Sequence, residues 1–342
     1  MFLPFPPERI IIAVVPCNNN RGHRNPMAAL TLAVCAHRAE HCIGACLESF
    51  RTQTVAPDEV IVCVHELSDP TAAVAESYGA RVIASHGIGL FQSRNAVLAA
   101  CGTEYLAFTD ADCVLVPEWV EAVKRALDTH PEVAAGTGRH PAVGPRTIAS
   151  WLHHMWFIVE TRNTGETDGV IGGNSYFRTE ALRKVGGWLD LPGHSNAEDV
   201  YISMALRKAG YKIWFEERAA AQHHYETGFM ELMRKSVRMG KGIVVMMRAA
   251  GWRGGLWWYT LAIPVFAFAL LFGLALIFAC PLPGLFVTSI PLLLTLAYLT
   301  ASFHSISKAF PRWLARWVVI WPYSLGILQG LVEPLPEAQP KP

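Results

Sequence analysis

Two apolar runs late in the chain set the first constraint. Trp257 to Cys280 carries no charge and has only Pro264 as a break, and Gly284 to Phe303 is nearly as apolar. A membrane-spanning helix needs about 20 apolar residues, so both runs are long enough. The turn between them, Pro281-Leu282-Pro283, is uncharged, which predicts a tight hairpin. Its outer flanks are basic: Arg234, Lys235, Arg238, Lys241, Arg248 and Arg253 before, Lys308, Arg312 and Arg316 after. Basic flanks favour the cytoplasmic side. The sequence therefore predicts an integral protein of the cell membrane with its head in the cytoplasm; a buried core hairpin is the alternative. Trp317 to Val332, which contains Pro322 and Gly326, is either a third, oblique span or an interfacial helix.

The rest of the 342 residues behaves differently. The chain as a whole is 52% hydrophobic, but the excess lies beyond about Met247, and the net charge of +1 gives no case for nucleic acid. No secretory leader is expected, because Arg9 to Val15 is short and bracketed by prolines. The eight cysteines show no repeated spacing, which points to a reducing compartment without a disulfide framework. Cys35, Cys42 and Cys46, with His37 and His41 between them, match no common zinc spacing.

Between residues 30 and 245 strand-like and helix-like stretches alternate. Leu30–Cys35, Val60–Val64, Ala80–Ile83 and Tyr105–Thr109 read as strands, and His41–Thr52, Ala72–Tyr78 and Phe91–Ala100 read as helices. Pro117 is placed to open another helix. Such alternation predicts an α/β domain, Rossmann-like, with a mostly parallel central sheet and helices on both faces. Residues 1–29 form an extension, although Arg9–Val15 could equally be the first strand.

Ligands in sheets of this kind bind beyond the carboxyl ends of the strands. Tyr105–Thr109 delivers Asp110 and Asp112 to such an end. Residues i and i+2 of an extended chain point the same way, so the two carboxylates converge, and they repel unless a cation is near. Mg²⁺ or Mn²⁺ takes oxygen ligands and keeps positions free for phosphate oxygens. The pair suits a metal–diphosphate. Further on, Asn196 is placed to cap a helix over Ala197–Ala209, with Glu198 and Asp199 in its first turn. Acids there can simply complement the helix dipole. The aromatic stretch Ile148–Ile158 suits either the bilayer interface or core packing.

Several segments in this order make the chain recognisable: "ESFRTQTVAPDEVIVCV", "GIGLFQSRNAVLAACGTEYLAFTDADC", "IGGNSYFRTEALRKVGGW" and "AEDVYISMALRKAGYKIWF". Together they resemble the family-2 glycosyltransferases of the GT-A fold, from about Leu30 to Gly242. The resemblance implies a nucleotide-sugar site at Glu66, Arg94, Asp110, Ala111 and Asp112, with Asn95 accompanying Arg94. His65 and Asp69 are alternatives to Glu66, because His65-Glu66-Leu67-Ser68-Asp69 departs from the family's paired aspartates; the base-flanking position falls near Ala36-His37-Arg38. It further implies a metal site of Asp112, Asp110 and His223, a sugar and acceptor pocket lined by Gly172, Gly173 and Asn174, and Asp199 as general base, with Glu198 supporting it or contacting the acceptor. At a helix N-terminus Asp199 is expected to stay ionised, and thus to be a weak base. On the basic helix from Glu231 to Gly242, Arg238 is the expected diphosphate contact. The Gln-x-x-Arg-Trp motif of processive synthases is absent, with Lys235 and Met239 at its ends.

The expected function is inverting, metal-dependent transfer of one sugar from a UDP- or GDP-sugar to a lipid or lipid-linked acceptor at the cytoplasmic membrane face. A component of a polysaccharide-extending synthase and a catalytically silent nucleotide-sugar-binding membrane protein are the alternatives.

Overall fold

The computed structural model describes residues 28–335, apart from 86, 88, 158–162, 226–227, 253–254 and 304–305. The extension, and the alternative first strand at Arg9–Val15, lie outside the described residues. The chain runs β1 (Leu30–Cys35), α1 (Ile43–Arg51), β2 (Glu59–Val64), α2 (Pro70–Ser77), β3 (Arg81–Ala84), α3 (Leu90–Ala100) and β4 (Tyr105–Thr109). It continues through β5 (Cys113–Leu115), α4 (Trp119–Thr129), β6 (Val133–Gly138), β7 (Ala142–Val143), α5 (Ile148–Phe157), β8 (Gly165–Thr167), β9 (Asn174–Arg178) and α6 (Thr179–Lys184). The head ends with α7 (Glu198–Lys208), β10 (Lys212–Glu216), β11 (Ala221–His224) and α8 (Phe229–Ala249). Then follow α9 (Gly255–Ala279), α10 (Pro281–Phe303) and α11 (Ile306–Val332).

The main sheet has the order β3-β2-β1-β4-β9-β6-β10-β8. Strands β3, β2, β1 and β4 are mutually parallel, as are β6 and β10, whereas β9 runs antiparallel between β4 and β6 and β8 runs antiparallel at the edge. The central strand β1, with Leu30, Thr31, Leu32, Ala33 and Val34 all inaccessible, is the apolar strand expected when helices cover both faces. One layer of core joins β1 to α1 and α4 through Ile43, Phe50 and Trp119; the other packs Phe108 and Phe177 on Trp188. Each fully buried side chain of this size contributes about 1.5–3 kcal/mol. A small sheet, β5-β11-β7, sits beyond the carboxyl end of β4. Pro117 opens no helix directly: α4 begins at Trp119, with Glu118 at its N-cap.

Among the described residues, Thr260–Ala279 and Pro281–Ala301 are long and apolar enough to cross a membrane, and only 17% and 22% of their apolar windows are buried. A core hairpin of a soluble protein would be covered, so exposure of Phe268, Phe272, Phe278, Leu285, Phe286 and Leu293 argues against that alternative. The segment expected at Trp317–Val332 is the later part of the longer α11, which packs along α8. A Cβ on Gly240 would collide with the Tyr323 carbonyl and one on Gly326 with that of Val237, so the two backbones touch. Arg248 then donates to the carbonyl oxygens of Gly330 and Glu333 at 2.7 and 2.6 Å, and Lys241 pairs with Glu333 at 2.6 Å. Partner numbers rise together, so α8 and α11 run parallel. The aromatic α5 lies against both: Ala149 and Leu152 are buried with Leu232 and Ala315.

Candidate active site

Strand β4 ends at Thr109, whose hydroxyl donates to the Gly173 carbonyl at 2.9 Å. The chain then turns through Asp110, Ala111 and Asp112 into β5, closed by the Cys113 N–H donating to the Asp110 carbonyl at 3.1 Å. Antiparallel pairing of β11 with β5 sets His223 opposite Cys113. Strand alternation then separates the two adjacent histidines: His223 is buried and His224 is exposed. Nε2 of His223 lies 3.3 Å from Oδ2 of Asp112. One ligand atom from each of Asp110, Asp112, Cys113 and His223 falls within 4.8 Å of the others. Two carboxylates and an imidazole at this spacing fit Mg²⁺ or Mn²⁺, because the remaining positions stay free for diphosphate oxygens.

Electrostatics separates the two acids. Burial, and then the charge of Asp112, raises Asp110 from its ordinary value. Burial acts on Asp112 in the same direction, but the hydrogen bond and charge of His223, followed by Lys235, outweigh it and hold Asp112 low. His140 stacks on His223 with ring centroids 4.8 Å apart, and burial pushes it down to about 3, so it stays neutral. Burial also lowers His153 strongly. A neutral aromatic wall formed by these rings and Tyr225 thus backs His223.

A cavity of about 830 Å³ opens in front of Asp110, Ala111 and Asp112. Its walls include Cys35, Cys42 and Cys46 from β1 and α1, His223 from β11 and Lys235 from α8. Next to it, a pocket of about 150 Å³ is lined by His37, Arg38, His65, Glu66, Ser68, Asp69 and Pro70. Asp69 is committed within the protein: it caps α2 through the Thr71 N–H and accepts from the Arg38 N–H at 2.9 Å. That bond accompanies a left-handed Arg38, φ 50°. Glu66 is exposed, lines this pocket and has its Oε1 3.7 Å from Nε2 of His65.

The second acid pair sits behind Gly172 and Gly173. A Cβ on Gly172 would lie 2.7 Å from Oε1 of Glu198, and one on Gly173 would lie 2.5 Å from Oδ2 of Asp110. Only glycines let one turn pass between both pairs. Asp199 accepts from the N–H of Gly172 at 3.3 Å and from its neighbour Val200 at 2.8 Å. Arg94, fully buried, donates to the Gly172 carbonyl at 2.9 Å, lies 3.4 Å from Glu198 and stacks over Phe108. Burial, and then the charge of Asp199, drives Glu198 up to about 8. Burial raises Asp199 as well, with Arg94 pulling the other way. Asp199 is thus a stronger base than a helix N-terminus alone would leave it. Glu198 and Asp199 do not line the large cavity; the glycine turn is their link to Asp110.

Four expectations need correction. Asn174 is inaccessible and fully engaged, accepting from the Trp119 indole and donating to the Arg139 and Ala219 carbonyls, so it braces the sheet and lines neither the large cavity nor the small pocket. Arg94 faces the acid pair, away from the cavity wall, while Asn95 pins the Trp188 backbone. Asn196 caps nothing: α7 starts after a left-handed Ala197, φ 70°, with no side-chain cap. Arg238 is exposed and paired with Glu231 at 2.7 Å, and Lys235, one turn earlier, lines the cavity. The basic helix was visible in the sequence; its rotation was not.

Residues 31–186 match the family model described as glycosyl transferase family 2. The chain carries a family-2 glycosyltransferase domain. EpsH of Bacillus subtilis (strain 168), named as a glycosyltransferase, is 32% identical over 102 residues, covering 28% of this chain. A UDP-forming cellulose synthase from Dictyostelium discoideum is 27% identical over 104 residues of its catalytic chain, covering 30% of this one. The aligned segments span 30% and 10% of these two relatives. The structure of the mannosyltransferase PcManGT from Pyrobaculum calidifontis, in complex with GDP-Man and Mn²⁺, superposes with a TM-score of 0.57 at 16% identity, covering 89% of this chain and 87% of that one. The glycosyltransferase domain thus has the GT-A fold, followed by two candidate membrane helices.

Proposed function

We propose that this glycosyltransferase moves a single sugar, with inversion, from a UDP- or GDP-sugar to a lipid or lipid-linked acceptor at the cytoplasmic face of the cell membrane. The reading rests above all on the two acid pairs meeting across Gly172 and Gly173, with the first pair opening on the large cavity. Asp110, Asp112 and His223 would hold Mg²⁺ or Mn²⁺, which when bound supplies charge stabilisation to the departing diphosphate. Lys235 adds a cation on the same side. Glu66 and the backbone of His37 and Arg38 face the nucleotide base, and Ala111 keeps the floor between the acids small. The Asp199 carboxylate accepts the proton of the attacking hydroxyl. Glu198, largely protonated near neutral pH, and Arg94 hold that carboxylate and the Gly172 backbone in place. A base on the face opposite the leaving group gives inversion in one displacement.

A lipid acceptor suits an exposed apolar hairpin held against the helix that carries Lys235. Membranes containing the protein, incubated with a panel of labelled nucleotide sugars and divalent metals and then extracted with organic solvent, test this. Label from one donor in the organic phase, absent with Asp112→Ala, is the expected result. Label confined to water-soluble product or long polymer would overturn it.

A further inference from the structure

The donor atoms at the end of β4 include one that metal–diphosphate binding leaves idle. Cys113 is inaccessible, and its Sγ lies 4.0 Å from Oδ1 of Asp112 and 3.6 Å from Nε2 of His140. Pairing of β5 with β11 holds it opposite His223. Its sulfur belongs to the same group of four ligand atoms, all within 4.8 Å, as those of Asp110, Asp112 and His223. Oxygen, oxygen, nitrogen and sulfur make a donor set of mixed hardness, which sorts dications by type.

We propose that the site has two metal modes: a hard dication is held by the carboxylates and His223 alone, whereas a thiophilic dication of the Zn²⁺ class also recruits Cys113 and inhibits transfer. The inference rests on the metal–diphosphate reading of this same site. The physical difference lies in the open positions. Four protein ligands satisfy a tetrahedral ion and close its shell, as in structural zinc sites, whereas a catalytic site must keep a position for substrate. With Cys113 engaged, none remains for a diphosphate oxygen. The binding step balances simply: the metal–sulfur bond forms, a metal-bound water is displaced and the thiol proton is released to solvent. No electron is transferred.

The full-length protein in detergent, titrated with Co²⁺ as the spectroscopic probe, tests the proposal. A thiolate-to-cobalt charge-transfer band is expected in the near ultraviolet, with about one proton released per ion. Cys113→Ser should abolish the band and weaken Co²⁺ and Zn²⁺ binding by about tenfold or more, while Mn²⁺ affinity, read by electron paramagnetic resonance, changes by less than about threefold. Cys280→Ser, on the exposed hairpin turn, should keep the band. Because a buried serine can perturb folding, Cys113→Ala is measured alongside, with Mn²⁺ binding reporting an intact site in each. Co²⁺ bound without the band, or a band surviving in both variants, overturns the proposal. Failure of the unaltered protein to bind Mn²⁺ overturns the metal–diphosphate reading and this inference together.

Discussion

Asp110 with Asp112, and Glu198 with Asp199, are both crowded acid pairs, but the chain offsets their charge by different means. The first pair opens on a large cavity and is faced by His223 and Lys235, with Asp110 held high by burial and Asp112 held low, against burial, by its hydrogen bond to His223. The second is closed in by Arg94 and backbone amides, and burial is answered by a proton on Glu198. A pair that faces a cavity can be completed by a bound cation. A pair with one member buried, as Glu198 is, keeps a proton on that member. One arrangement therefore suits holding a metal–diphosphate, the other suits accepting a proton from a hydroxyl.

The comparison fails first if the two pairs can exchange roles. Asp112→Ala should remove several kcal/mol of charge stabilisation, about a thousandfold in turnover, with Mn²⁺ binding lost in parallel. Asp199→Asn should lower turnover by about 10²–10⁴ while nucleotide-sugar affinity survives; loss of donor binding there would mean that the second pair also holds the diphosphate. Lys235→Ala should weaken donor binding about ten- to a hundredfold, as expected for one charge-assisted contact, and Arg238→Ala should leave it nearly unchanged. Parallel titrations of the two variants decide between the neighbouring cations.

The smallest effect concerns the proton on Glu198. Its folded pKa of about 8 exceeds the ordinary 4.5, so the native state binds the proton more tightly than the unfolded chain. This contribution to stability is full below about 4.5 and is lost as pH rises toward 8. Glu198→Gln, which mimics the protonated form, should flatten that part of the pH dependence. Urea unfolding of both proteins at several pH values measures it, and identical curves would show that Glu198 is ionised in the native state.

Much of the frame was legible in the sequence because it is local. Leu30–Cys35 and Tyr105–Thr109 have the expected strand boundaries, since continuous apolar runs bounded by turns have few other uses in an α/β chain. The acid motif and the glycine pair could be found for the same reason. Orientation was not legible. Whether Asn174 faces a pocket or the Trp119 indole depends on α4, a distant element. The choice between Lys235 and Arg238 depends on how α8 is rotated, and α11 sets that rotation through Gly240 and Gly326. The family resemblance puts Arg94 near the nucleotide, but Phe108 and Trp188 stack against it within the core.

The parallel course of α8 and α11 carries a mechanical consequence. The chain enters the hairpin from the far end of α8 and, after it, runs along α8 a second time in the same direction, so one zipped pair of helices flanks the hairpin. In the proposed setting the cleft then rides at a constant height above the lipid headgroups. Molecules whose reactive hydroxyl projects to that height can be glycosylated, and those seated deeper or shallower pass by. Lengthening the connection into the hairpin would leave that height unchanged so long as the two helices remain zipped.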